Sequence, residues 1–118
     1  MFAETLKDIA QKLENLHCIL LMGVDGLPIE KVVVSDTVNV EAITAEFTTI
    51  LRIAAHTTNE VNAGNLEEIV VISDQLILLT KSITPEYFIL LVLPHDGNLG
   101  RARFELKKAK YILEKEFV

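Results

Sequence analysis

The sequence predicts an α+β domain in three layers: an antiparallel sheet of five short strands with helices on both faces. Two observations carry this fold class. Five short apolar runs, at 17–23, 27–34, 66–73, 75–82 and 87–94, are bounded by turn residues, while three other stretches repeat with helical spacing. Within the last three strands the segments 69–72, 76–79 and 88–93 are apolar on both faces, where a sheet covered on one side would alternate.

Phe2, Leu6, Ile9, Leu13 and Leu16 make one helical stripe, and Asn15 marks the end of that first helix. The strand 17–23 follows, then a hairpin signal at Val24-Asp25-Gly26, because Asp-Gly tolerates the positive φ of tight turns. Pro28 cannot donate to a ladder, so the second strand, 27–34, belongs at a sheet edge or is paired only beyond Pro28. The links at Ser73-Asp74 and Ile83-Thr84-Pro85 are too short for parallel crossovers, so the last three strands form a meander. A last helix opens at Asn98 and runs to the C-terminus, with Leu99, Ala102, Leu106, Ala109 and Leu113 as its stripe. Phe104 and Tyr111 lie about 160° from that stripe. The favoured expectation packs them beside the first helix, and the alternative makes them a second contact surface. One helix alone on one face and two on the other is the simple three-layer solution.

The longest element is 40–63, VEAITAEFTTILRIAAHTTNEVNA. Its expected buried stripe is Val40, Ile43, Phe47, Ile50, Ala54 and Val61, with Asn39 as N-cap and Gly64 as terminator. Thr44, Ala45, Thr48, Thr49, Arg52, Ala55, His56 and Asn59 cover the opposite arc, and among them only Arg52 is firmly charged. In a chain that is 24% charged, so bland a back points to something packing on it. The simpler alternative is a solvated helix that happens to be rich in Thr and Ala.

At 118 residues the expectation is a single domain spanning 1–118. Half of the residues are hydrophobic, an excess that a core covered on both faces or an oligomer would hide. A net charge of −6 argues against nucleic acid and against an anionic membrane surface. One cysteine precludes an internal disulfide and suits a reducing compartment, and no signal peptide or bilayer-length apolar run is present. The expected location is cytoplasmic.

Catalytic and cofactor motifs are absent. No phosphate-cradling G-x-x-x-x-G-K-[ST] loop occurs, and His17, His56 and His95 fall on separate elements. His17 and Cys18 are adjacent on a strand and point to opposite faces, so they cannot share a metal. His56 and Glu60 are four apart on a helix but have no third ligand nearby. No enzyme, cofactor or metal is expected.

Three local features resemble the Roadblock (dynein light chain) domain family, which includes bacterial gliding-motility regulators of small Ras-like GTPases. Gly23-x-Asp25-Gly26-x-x-Ile29 resembles the family's first hairpin, and Ser73-Asp74 between apolar strands its second. Asn98-Leu99-Gly100 with Arg103 resembles the opening of its last helix, and Arg101 departs from the apolar residue usual there. The resemblance implies a Roadblock/profilin-like three-layer sandwich with strand order 2-1-5-4-3, the long helix on one face and the terminal helices on the other. It also implies a homodimer in which the third strands pair and the long helices pack side by side, forming a platform for a GTPase. The dimer interface is expected to include Thr48, Leu51, Ala55, Ile69 and Val71, and the partner-binding surface Thr49, Arg52, Ile53 and His56. The functional expectation is a scaffold that binds a small Ras-like GTPase and modulates hydrolysis. The alternative is a plain adaptor for a motor or signalling complex.

Overall fold

The central strands alternate their side chains between two helical layers, which is why runs such as 19–22 and 88–93 are apolar at every position. A computed structural model describes residues 2–117. In it the elements run α1 (Phe2–Lys12), β1 (Cys18–Gly23), β2 (Pro28–Val33), α2 (Val40–Glu60), β3 (Glu68–Ile72), β4 (Leu76–Thr84), β5 (Tyr87–Pro94) and α3 (Leu99–Leu113), closed by a 3₁₀ turn at Glu114–Phe117. All pairings are antiparallel in the order β2-β1-β5-β4-β3. Cys18 faces Val33 on one side and Val92 on the other, and Leu79 lies between Val70 and Leu91. Each strand falls within two residues of its expected stretch.

Ile19, Leu21, Ile89, Leu91 and Leu93 face α1 and α3, whose Leu6, Ile9, Leu13, Ala102, Leu106, Ala109 and Leu113 complete one core. Cys18, Leu20, Met22, Phe88, Leu90 and Val92 face the other way, where α2 supplies Phe47 and Leu51. The two cores are unequal. Among the described residues the α1/α3 side encloses sixteen buried hydrophobic residues and the α2 side eight.

Pro28 does sit in an edge strand, and the β1–β2 ladder is interrupted by a register shift between Leu21 and Met22. The hairpin turns through Gly26 at φ 91°, with the Asp25 carboxylate accepting from the Leu27 amide at 3.0 Å. The second hairpin is held by Ser73, whose amide donates to the Leu76 carbonyl at 2.9 Å and whose hydroxyl accepts from the Leu76 amide at 3.0 Å.

Several expectations need correction. α2 ends at Glu60, three residues early, because Asn62 adopts a left-handed φ of 58° before Gly64 is reached. Its buried face is rotated from the expected stripe. Ile50 and Val61 are exposed, while Leu51 and Thr48 are buried at 4% and 5%. Phe104 and Tyr111 do not pack beside α1; they stand 55% and 65% exposed. Glu105, about 70° from the centre of the stripe, meets α1 through Lys12. α3 begins at Leu99 with Asn98 as its cap and tightens to 3₁₀ after Leu113. Val118, which the last helix is expected to include, lies outside the described residues, as does Met1 of the expected 1–118 domain.

Candidate functional site: the outward face of the long helix

The Asn39 side chain accepts from the Ala42 amide at 3.0 Å, fixing where α2 begins. Along the helix four of the five threonines satisfy themselves, while the buried Thr44 hydroxyl has no partner among the described residues. Thr48, Thr49 and Thr57 donate to the carbonyls of Thr44, Ala45 and Ile53, and Thr58 to that of Ala55, at 2.8 to 3.3 Å. A hydroxyl folded back onto its own helix is a weak ligand for solvent, so the face is less polar than its composition suggests.

Thr49, Arg52, Ile53 and His56 are all exposed and share the outward arc, as the helical spacing requires. Ile53 is 62% exposed, without a covering element. Arg52 is not a free arm. Its Nε donates to the Val24 carbonyl at 2.8 Å, tying α2 to the β1–β2 hairpin. The hairpin also sits under Thr48, whose methyl lies 3.9 Å from where a Cβ on Gly26 would be. No local pattern in the sequence signals the Arg52–Val24 tether, because it joins positions 28 residues apart. His56 lies 4.0 Å from Glu60 in an exposed pair. Among the described residues no three His, Cys, Asp or Glu side chains stand together as metal ligands would.

The two flanks of α2 differ. Thr44, Thr48 and Arg52 line an open groove of about 400 Å³ against Leu20, Pro28 and Lys31 of β1 and β2. Ala55 lines a recess with Leu51, Leu66 and Phe88. Of these α2 positions, Thr48 and Leu51 face their own chain. Of the residues expected at the subunit contact, Thr48 and Leu51 are buried within the protomer, Leu51 filling the core where Ile50 was expected, while Ala55 is partly buried. The opposite flank presents Ile50 and Ile53, 37% and 62% exposed, and Val61 at 66% beyond the helix end. Helical geometry directs this flank away from the groove at β2, and β2 and β3 are the two margins of the sheet. On the β3 margin, Ile69 is partly buried and Val71 37% exposed on the α2 side.

Two features of the other layer support this arrangement. Arg103 grips Glu68 at the start of β3 with Nε and Nη2 at 3.3 and 3.2 Å, so α3 fixes the edge strand in place. Glu105 is 2% exposed and is met by Arg101 at 3.1 Å, Lys108 at 3.2 Å and Lys12 at 3.8 Å. That cluster accounts for Arg101, which serves a buried carboxylate. The Asp8 hydrogen bond, more than any other cause, holds the Lys12 ammonium above its ordinary range. Cys18 is fully buried, and burial pushes its thiol up to about 11. No helix among the described residues is long and apolar enough to cross a membrane.

A five-stranded sheet in this order, one long helix on one face and two on the other, defines a Roadblock-type domain. The Roadblock/LC7 domain from Streptomyces avermitilis superimposes with a TM-score of 0.84 at 10% identity, over 97% of this chain and 95% of that one. MglB from Myxococcus xanthus gives 0.80 at 14% identity, over 98% and 89% of the two chains. MglC from the same organism gives 0.70 at 25% identity, over 96% of each. The chain belongs to the family described as mitogen-activated protein kinase kinase 1 interacting, which it matches over residues 2–103. Among curated protein sequences none matches it.

Proposed function

We propose that residues 1–118 form a single-domain, non-enzymatic Roadblock-type regulator. It forms a homodimer through β3 and the Ile50/Ile53 flank of α2, and binds a small Ras-like GTPase on the outward faces of the two long helices. The observation that carries this reading is Ile53, exposed on a helix whose neighbouring Thr49 and Thr57 hydroxyls are bonded back to their own helix, in a domain whose β3 is a sheet edge. The likeness to MglB and MglC supports a regulator of this type. A reducing cytoplasm suits the buried, unpaired Cys18.

Ile53 takes the subunit contact in this arrangement, leaving Thr49, Arg52 and His56 as the centre of the GTPase surface. Because Arg52 is tied to Val24, its first role is to fix the hairpin beside the platform. A guanidinium reaching into the partner's nucleotide site would have to break that bond. The test is binding of Ras-like GTPases from the same cell, loaded with GTP or GDP, to Thr49→Arg and His56→Ala proteins first shown to be dimeric. Affinity should fall by about 1 to 3 kcal/mol for a central position. Normal binding by both variants overturns the platform.

A second reading has its own support. The family's description refers to interaction with a protein kinase kinase, which favours a plain adaptor that docks a signalling protein without touching hydrolysis. Unchanged hydrolysis in a GTPase complex that forms normally decides for the adaptor.

A further inference from the structure

The chain's charge is divided unevenly. Residues 98–117 carry six of the eleven Lys and Arg and three of the seventeen Asp and Glu, a net +3. The remainder carries five against fourteen, a net −9, and the two sum to the chain's −6. This positive segment is α3 and its terminal turn, on the opposite face of the sheet from α2. Its outward side exposes Phe104 at 55%, Tyr111 at 65% and Ile112 at 51%. With Lys107 and Lys108 they form one continuous outward patch along α3.

The lysines are arranged on the rings. Lys108 Nζ lies 4.8 Å from the centroid of Phe104, and Lys115 Nζ 4.5 Å from that of Tyr111. Each pair is four residues apart, and the pairs repeat after seven, about 10.5 Å along the axis. No carboxylate among the described residues pairs with Lys107, Lys110 or Lys115. The core does not need the two aromatic rings, since the inward stripe of α3 is already buried.

We infer that the outward face of α3 is a second docking surface, taking an acidic amphipathic helix from another protein. The occupant's apolar residues, one and two turns apart, cover Phe104, Tyr111 and Ile112. Its carboxylates flank them and meet Lys107, Lys108 and Lys115. A protein segment fits better than a lipid surface, because a protomer whose remaining residues sum to −9 is repelled by an anionic bilayer. The surface is independent of α2, so it stands whether or not a GTPase binds there.

The experiment is selection from a displayed library of helix-forming peptides of about 15 residues, the length of α3, on the full chain. Recovered peptides should be net acidic with apolar residues at i, i+3 or i+4, and i+7, and should lose affinity as salt rises. Phe104→Ser combined with Tyr111→Ser should weaken them about tenfold or more. Lys107→Glu combined with Lys115→Glu should reverse the charge preference. All four side chains are outside both cores, so circular dichroism should report an unchanged fold. Recovery of no peptide, of peptides without acidic bias, or of peptides indifferent to the aromatic pair overturns the inference. Sedimentation with phosphatidylserine-rich vesicles but not with the selected peptides overturns it in favour of a membrane surface.

Discussion

Replacing Ile53 by Ser should separate subunits without loosening the protomer. Fully burying an isoleucine is worth about 1.5 to 3 kcal/mol. Ile53 is 62% exposed in the protomer, so covering that remainder at an interface yields roughly 1 to 2 kcal/mol per copy. A two-fold contact uses the residue twice, giving roughly 2 to 4 kcal/mol, or about a 30- to 700-fold weaker dimer. Light scattering and sedimentation at micromolar concentrations read this directly, with the wild type expected at twice 13.2 kDa. Melting at the lowest practical concentration should match the wild-type protomer, because Ile53 belongs to neither core. Ala55→Glu is the contrasting variant. Its carboxylate enters the recess formed by Leu51, Leu66 and Phe88, so it should lower the melting temperature with no selective loss of dimer. A wild-type dissociation constant for Ile53→Ser refutes the assignment of the flank. Dissociation of Ala55→Glu with unchanged melting refutes it too and moves the contact to the hairpin side.

Glu105→Gln should destabilise the protomer by about 1 to 3 kcal/mol in urea unfolding, because it removes a buried acceptor of charged hydrogen bonds. The loss stays below that of a fully buried pair, since Arg101, Lys108 and Lys12 are 51%, 45% and 38% exposed and can return to water; an unchanged midpoint would leave the cluster without a structural role. Cys18, with its thiol raised to about 11, should resist thiol reagents at pH 8, reacting only on opening. Its folded pKa exceeds the unfolded one, so its contribution is complete below about pH 9 and is lost between about 9 and 11, amounting to about 3 kcal/mol. Cys18→Ala should flatten that part of the stability profile, and an unaltered slope would contradict the assignment.

Strand positions were readable because the pleat is strict: a run such as 88–93, apolar at every position, has one physical explanation, cover on both faces. The helices were readable in extent but less so in phase. Summed apolar character favoured Ile50 over Leu51 and left out Thr48, yet the sheet packs Leu51 and Thr48 and leaves Ile50 half outside. A helix that buries one face in its own protomer and exposes another apolar flank has two candidate stripes, and periodicity averages them. Two of the expected interface residues inherited that rotation, which is why Thr48 and Leu51 are buried in the protomer. Glu105 went unnoticed because a glutamate within a helix usually reads as solvated. The signal was present in its spacing from Arg101 and Lys108, four residues before and three after. The Arg52–Val24 bond had no such signal, since no spacing rule reaches across a strand, a turn and a helix.

The two ends of the sheet are unlike, and this limits how far it can grow. β2 begins with a proline that offers no amide hydrogen, and its pairing with β1 is broken by a register shift. β3 has neither device, and Arg103 of α3 anchors its first residue, Glu68. Two copies joined edge to edge through β3 make a ten-stranded sheet whose outer margins are both β2. Each margin refuses the next strand, so the addition stops at two. A chain with two open ends would polymerise; in the proposed dimer the two β2 margins would close the assembly.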